Sequence, residues 1–353
     1  MVRNRSSNKL QWERILVTNT ATIRDVIEIL NSTQLKTAYI IDERRCVLGS
    51  VGDGDIRRSF LKDIKISSKA IDIANTCPIV GSVNEPSVLH RSKIQQYKLF
   101  SLPIVNEAGE LESIVFNSTL ITESQSSHPI LIMAGGYGQR LGNLTRHTPK
   151  PMIKVGGIPI LLHIIQNFSG FGFKNFFISI HFLGDKIRNF LKDGNEYGIN
   201  IKYLEEKNPL GTAGCLQKLD NKVEDYLIVV NGDVFCDIDF NELIREHSLT
   251  KASATVVIRK FEVQNPYGTV EFEHNYLTSI NEKPVYQSFI NTGIYVFSKD
   301  CIGEISEGEN IDMPEFLKRL KANGKKINVF QTDGFWVDIG NPIDLQEIRN
   351  LIV

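Results

Sequence analysis

The segment that most constrains this chain is PILIMAGGYGQRLG, residues 129–142. An apolar run stops at Ala134. Glycines follow at 135, 136, 138 and 142, with Arg140 among them, and Lys150 comes after between two prolines. A buried strand that feeds a glycine-rich loop brings backbone N–H groups close to an anion, because glycine has no Cβ to block the approach. Two phosphate-binding patterns fail on residues. The P-loop needs Gly-Lys-Ser/Thr at its end, and no lysine follows these glycines in that frame. The dinucleotide fingerprint fits Gly136 and Gly138, but Leu141 stands where its third glycine belongs, and no acid follows about 20 residues later. A dehydrogenase is thereby disfavoured. What remains is a loop, Arg140 and Lys150, enough positive charge for several phosphates.

The same strand sets the architecture. PILIMA, FFISIH, YLIVVNGD and SATVVIRK are continuous apolar, β-branched runs, the pattern of strands buried on both faces. LLHIIQNF, DKIRNFLKD, FNELIREHS and MPEFLKRLKA read as helices between or after them. The order predicts an α/β domain with a mostly parallel, Rossmann-like sheet and ligands at the carboxyl ends of its strands. NPYGTVEFE and YLTSINEKP add a hairpin. His163 and His181 lie inside apolar runs and read as core or helix-face residues.

A polar, serine-rich stretch at 117–129 reads as a linker, giving domains 1–125 and 126–353. The first contains a weak repeat of helix, strand, turn and strand. Val26, Ile27, Leu30 and Leu35 have helical spacing before AYII and VLGSV; Ile94, Tyr97 and Leu99 precede LPIV and LESIVF. The balance of 42% hydrophobic and 23% charged residues gives either domain material for a core. With a formal net charge of -1, no global field recruits nucleic acid or an anionic membrane, so any anion site is local. Five scattered cysteines without CxxC suggest buried free thiols rather than zinc or disulfides. The N-terminus lacks an apolar leader core, and no run approaches membrane-spanning length, so the expected location is the cytoplasm.

The motif G-G-x-G-x-R-L followed by Pro149-Lys150-Pro151 resembles the sugar-nucleotide pyrophosphorylases, nucleotidyltransferases with a GT-A-like fold that join a sugar 1-phosphate to a nucleoside triphosphate. Gln139 stands where many relatives have threonine. The resemblance continues in order to residue 345. It implies that Ala134, Gly135, Gly136, Gly138, Arg140 and Lys150 hold the nucleotide with Leu210, Gly211, Thr212 and Ala213 of PLGTAG. It implies that Asp233, after YLIVVNG, and Asp338, in GFWVDIGNP, hold Mg²⁺ (or Mn²⁺). Asn341 reads as a helix N-cap with Pro342 at the first helical position, which puts Asp338 in a loop. Gly268, Glu282, Lys283 and Asn291 resemble the sugar-phosphate segments. Arg140, Lys150, Asp233 and Lys283 are the implied catalytic groups.

The N-terminal repeat resembles a pair of cystathionine-β-synthase (CBS) domains, chiefly through GSVGDGDIRR. In that family the position of Asp55 can hold an adenosine ribose, and the pair serves as a regulatory or oligomerising module. The implied partners are an adenine nucleotide there and another copy of the chain. TPKPM, EEKNPLGTAG and WVDIGNP resemble hexose-1-phosphate guanylyltransferases. A CBS pair fused to a short transferase resembles those acting on glucosamine 1-phosphate in bacterial legionaminic acid biosynthesis. The expected substrates are therefore GTP and glucosamine 1-phosphate. Mannose or heptose 1-phosphate is the alternative, then cytidine, thymidine or uridine nucleotides. A reading of another class is a non-catalytic nucleotide sensor working through the CBS pair.

Overall fold

The computed structural model describes residues 12–33, 35–117, 126–219 and 222–350. Most of the expected linker, 118–125, lies outside them, as does the end of the segment aligned with Asp55 in the second repeat. The chain divides into two compact units, Met1–Ser124 with Asn350–Val353, and Gln125–Arg349.

The first unit holds two three-stranded sheets of the same design. In one, β1 (Leu16–Thr18) runs parallel to β2 (Thr37–Ile41), which pairs antiparallel with β3 (Val47–Gly52). In the other, β4 (Gly81–Ser82) is parallel to β5 (Ser101–Val105), and β6 (Leu111–Phe116) antiparallel to β5. Helix Ile23–Thr33 separates β1 from β2, and helix Ser87–Gln96 separates β4 from β5. In the first half Ile23, Val26 and Leu30 project from the helix at spacings of three and four. They pack on Ala38, Ile40 and Val51 of the sheet.

The second unit is built on a seven-stranded sheet in the order β11-β10-β7-β12-β17-β14-β18. These are β7 (Ile130–Met133), β10 (Asn175–Ile180), β11 (Asn200–Glu205), β12 (Tyr226–Asn231), β14 (Ala254–Gln264), β17 (Val285–Ser298) and β18 (Ile327–Thr332). Six run one way and β17 the other. The apolar runs are continuous because both faces are covered. Leu131, Phe177, Val229 and Phe297 pack with Phe316 on one side. Alternate residues Ile130, Ile132, Ile178 and Ile228 face the other way and are equally buried. Phe168, from helix Ile160–Gly170, stacks on Phe240 at 3.9 Å between ring centroids. Each such side chain contributes roughly 1.5–3 kcal/mol of burial.

Smaller sheets decorate this one. β8 (Lys154–Val155) and β9 (Ile158–Pro159) form a short hairpin, and so do β15 (Thr269–Glu273) and β16 (Tyr276–Asn281). β13 (Val234–Cys236) pairs antiparallel with β19 (Trp336–Asp338). Asp338 thus ends a strand, where a loop was expected; three residues are too few for a sequence period to reveal. The expected cap is present: the Asn341 side chain accepts from the N–H groups of Ile343 and Asp344 at 2.8 and 3.1 Å. Cys215, Cys236 and Cys301 are buried, but Cys77 is exposed and Cys46 half-buried, contrary to the reading of all five as buried. Among the described residues no helix is long and apolar enough to cross a membrane.

Candidate functional site

Strand order reverses at β7, with β10 on one side and β12 on the other, and the crevice beyond their carboxyl ends is where an open α/β sheet takes a ligand. Two backbone bonds fix that crevice. Ala134 N donates to Ser179 O, and Gly232 N to Met133 O, both at 2.9 Å. A Cβ on Gly232 would stand 2.7 Å from the Met133 carbonyl, so only glycine lets β12 close against β7 here. Gly138 has φ +64, and a Cβ there would meet Thr145 at 2.9 Å and the Lys150 side chain at 3.1 Å. The loop therefore folds tightly over the stem of Lys150.

A cavity of about 490 Å³ opens at this point. It is lined by the loop from Gly136 to Arg140, by Lys150 and Thr212, and by Asp233 and Asp338. The β13–β19 pairing brings the two acids together: Val234 lies opposite Asp338, and Ile339 N donates to Asp233 O at 3.0 Å. Lys150 is buried, and its ammonium donates to Asp233 Oδ2 while standing 3.7 Å from Asp338 Oδ1. Burial and then the like charge of Asp233 push the Asp338 carboxyl up from its ordinary 3.8 to about 6. Oδ1 of each aspartate is buried without a hydrogen-bond partner. Two orphaned carboxylate oxygens from residues lining one cavity are a donor set for a hard divalent cation, which takes one or two carboxylates and fills its remaining positions from phosphate and water. The residues fit Mg²⁺ or Mn²⁺ on that observation.

The PLGTAG segment is held from two sides. Gly211 has φ +74, and Ala213 N donates to Ile311 O at 3.0 Å. Thr212 Oγ1 lies 3.2 Å from Asp312 Oδ1 and accepts from Met313 N at 2.7 Å. Thr212 reaches the cavity; Ala213 is core; Leu210 lines a neighbouring cavity of about 940 Å³ with His181, Glu206 and Lys207. Gly135 backs onto His181.

Sequence reading missed the group that organises this rim. Glu206 accepts from Ser179 Oγ through Oε1 and from Leu210 N at 3.1 Å through Oε2. His181 corrects an expectation. It is half-buried at the end of β10, not a core or helix-face residue. Its Nδ1 bonds Glu206 O at 2.8 Å, so Nε2 is left to accept from Tyr137 Oη at 3.2 Å. His163 is indeed core, and burial lowers its pKa. The only local hint for Glu206 was its place just ahead of PLGTAG.

The four sugar-segment residues do not line this cavity. Glu282 and Lys283 are exposed after β16; Gly268 packs beside Glu282. Asn291 Nδ2 donates to Tyr295 Oη at 2.7 Å, and its Oδ1 accepts from Gly293 N at 3.1 Å. In the first unit Asp55 caps its helix by accepting from Gly52 N at 2.8 Å, and it also takes Arg58 Nη2 at 2.6 Å. It lines a cavity of about 730 Å³ with Lys36, Arg57, Arg58 and Lys98.

Comparison with known proteins bears on the second unit. A model of the nucleotidyl transferase family matches residues 130–353. The chain is 33% identical over 222 residues to the mannose-1-phosphate guanylyltransferase catalytic subunit beta of Xenopus tropicalis, and equally to a mannose-1-phosphate guanyltransferase of Yarrowia lipolytica. Each match spans 61% of this chain and 61% of the relative. The crystal structure of HddC from Yersinia pseudotuberculosis complexed with GMP-PN superposes with a TM-score of 0.51 at 25% identity. That match covers 63% of this chain and 98% of the other.

Proposed function

Since this chain belongs to the nucleotidyl transferase family, we propose that it joins a sugar 1-phosphate to a nucleoside triphosphate and releases pyrophosphate. The observation that carries the reading is one cavity holding the glycine loop, a buried lysine and two carboxylates with orphaned oxygens. A sugar 1-phosphate oxygen attacks the α-phosphorus in line; the bond to the β-phosphate bridging oxygen breaks, and pyrophosphate leaves with the electron pair. The nucleophile is already an anion, so no general base is needed. The task is to align two anions and offset their repulsion. Backbone N–H groups of residues 135–138 and the Arg140 guanidinium meet the triphosphate. Lys150 turns its ammonium to the phosphates. Asp233 and Asp338 would hold the divalent cation, which when bound neutralises phosphate charge and orients the reactants. Glu282 and Lys283 reach the sugar and its phosphate if the β15–β16 arm closes toward the cavity.

GTP is the proposed triphosphate, on the names of the guanylyl-transferring relatives and on EEKNPLGTAG. Glucosamine 1-phosphate is the sugar that the fused organisation favours; mannose 1-phosphate is the second reading, favoured by the relatives' names. For the first unit we propose a CBS pair taking an adenine nucleotide, supported by the doubled sheet design and the four cations beside Asp55. The experiment is pyrophosphate release across a panel of triphosphates and sugar 1-phosphates with Mg²⁺. GTP with a hexosamine or hexose 1-phosphate turns over, and Asp233→Asn loses about 10²–10³ in rate. Absence of pyrophosphate from every pair, with adenine nucleotide still bound, would instead favour the sensor.

A further inference from the structure

Half of the exposed large apolar side chains among the described residues, eleven of twenty-two, fall within residues 261–289. This is the part of the second unit that leaves the central sheet. Beyond Arg259, its last residue paired with β18, β14 pairs only with β17, and the β15–β16 hairpin pairs only with itself. Register sorts the side chains by face. Val270 lies opposite Ile280 and Phe272 opposite Leu277, so these four share one face of the hairpin. They are 55, 61, 71 and 59% exposed respectively. The other face is mostly polar, with Ser279 Oγ donating to Glu271 at 2.9 Å and Tyr276 opposite Glu273. The β14–β17 ribbon repeats the division in part, since Phe289 lies opposite Lys260 and Val285 opposite Gln264 on its charged face. Val263 lies opposite Tyr286 on one face, while the other carries the Lys260–Glu262 pair at 2.8 Å.

A hairpin with one mostly polar face and one wholly apolar face has the alternation of a sheet that is covered on one side. A two-stranded hairpin is marginal by itself in water. The seven on the apolar sides, Phe261, Val263, Tyr286, Val270, Phe272, Leu277 and Ile280, each about half exposed or more, present roughly 700 Å² of apolar surface. That exceeds the few hundred Å² of an ordinary surface patch. It approaches the ~800 Å² per partner of a stable interface.

We infer that this arm is a two-fold contact between two copies of the chain. Across a two-fold axis each group near the axis meets its own counterpart, so a charged face would set like against like. The hairpin face formed by Val270, Phe272, Leu277 and Ile280 carries no charge, which suits a copy of itself rather than a partner of complementary charge.

The test is sedimentation of the full chain across the micromolar range, beside Phe272→Glu and Leu277→Glu. Both side chains are exposed in a single copy, so neither change disturbs a core. Leu249→Glu, at a 75% exposed position on helix Phe240–Thr250, is the control. The wild type and the control sediment as dimers, and each arm variant raises the dissociation constant by roughly 30-fold or more. A wild type that stays monomeric overturns the inference. So does a dimer untouched by both arm variants, the result expected if association runs through the first unit instead.

Discussion

Lys150 holds one carboxylate of the cavity and faces the other, and that decides how a divalent cation can enter. The ammonium and the metal compete for the same oxygens. On the proposed function a triphosphate draws the ammonium away, so nucleotide and cation should bind cooperatively, and the coupling is reciprocal. Lys150→Met removes the competitor: Mn²⁺ binding by nucleotide-free protein, followed by electron paramagnetic resonance, tightens about tenfold, near the lower end of what one nearby charge supplies. Equal affinity in wild type and variant would show that the lysine does not guard the site. Asp338 yields a second residue-scale outcome. Its folded-state pKa of about 6 lies above the ordinary 3.8, so the proton favours the folded state. The group is least costly below about pH 4, and stability is lost as pH rises through about 6. Asp338→Asn keeps the shape and removes the charge. It therefore melts higher than wild type at about pH 7.5, and the gap closes near pH 4. Scanning calorimetry at the two pH values checks this; a variant no more stable at the higher pH would refute it. The same change removes one of the two proposed metal carboxylates, a stability gain set against the proposed function.

At the scale of elements, helix Phe240–Thr250 is tied to the sheet through His247. Its Nε2 meets Ser298 Oγ at 3.0 Å and its Nδ1 meets Thr255 Oγ1 at 2.7 Å, joining the helix to β17 and β14. Ser298 Oγ donates onward to Ala252 O at 3.0 Å, which leaves it to accept from Nε2. In the neutral ring Nδ1 then accepts from Thr255 Oγ1. Burial, and then the nearby His128, lower its pKa from 6.5 to about 4. This group's contribution is fully present above pH 6.5 and is lost as pH falls through about 4. The urea midpoint should drop over that range, and His247→Gln, which cannot take up the proton, should flatten the drop. An identical pH profile in the variant would exclude the helix tie as its cause. What the sequence disclosed at this scale follows a physical rule. Strands buried on both faces, such as 130–133 and 226–231, announce themselves because no position tolerates a polar residue. The glycine loop is legible because its chemistry is local. β13 and β19 are not, since three residues carry no period and their partners are distant in the chain. Glu206 was missed for the same reason: it acts through Ser179 and the Leu210 amide, neither recognisable without the fold. The arm was read as a hairpin, but its uncovered apolar face emerged only from the register.

On the scale of the whole molecule, the proposed chemistry lies within one of the two units and can be tested by cutting them apart. Every residue lining the 490 Å³ cavity lies between 134 and 340, inside the Gln125–Arg349 unit, and the seven-stranded sheet that positions them is complete there. The helix Pro342–Asn350 that follows the second acid is anchored within the same unit, where Asp344 accepts from Gly340 N at 3.1 Å and Asn341 N at 3.2 Å. The first unit has clusters of its own around Ile40 and Leu102. A domain with its own core and site folds and acts alone. On the proposed function and the inferred arm contact, the chain shortened to residues 125–353 therefore keeps Mg²⁺-dependent pyrophosphate release close to that of the full chain, and it still sediments as a dimer because the 261–289 arm goes with it. A loss of about 10²-fold or more in turnover, the size of one missing preorganised contact, would mean that the first unit completes the catalytic site. Turnover kept but dimerisation lost would transfer the association to the first unit. The two readouts fail separately, so one truncated chain tests where the chemistry resides and where the copies meet.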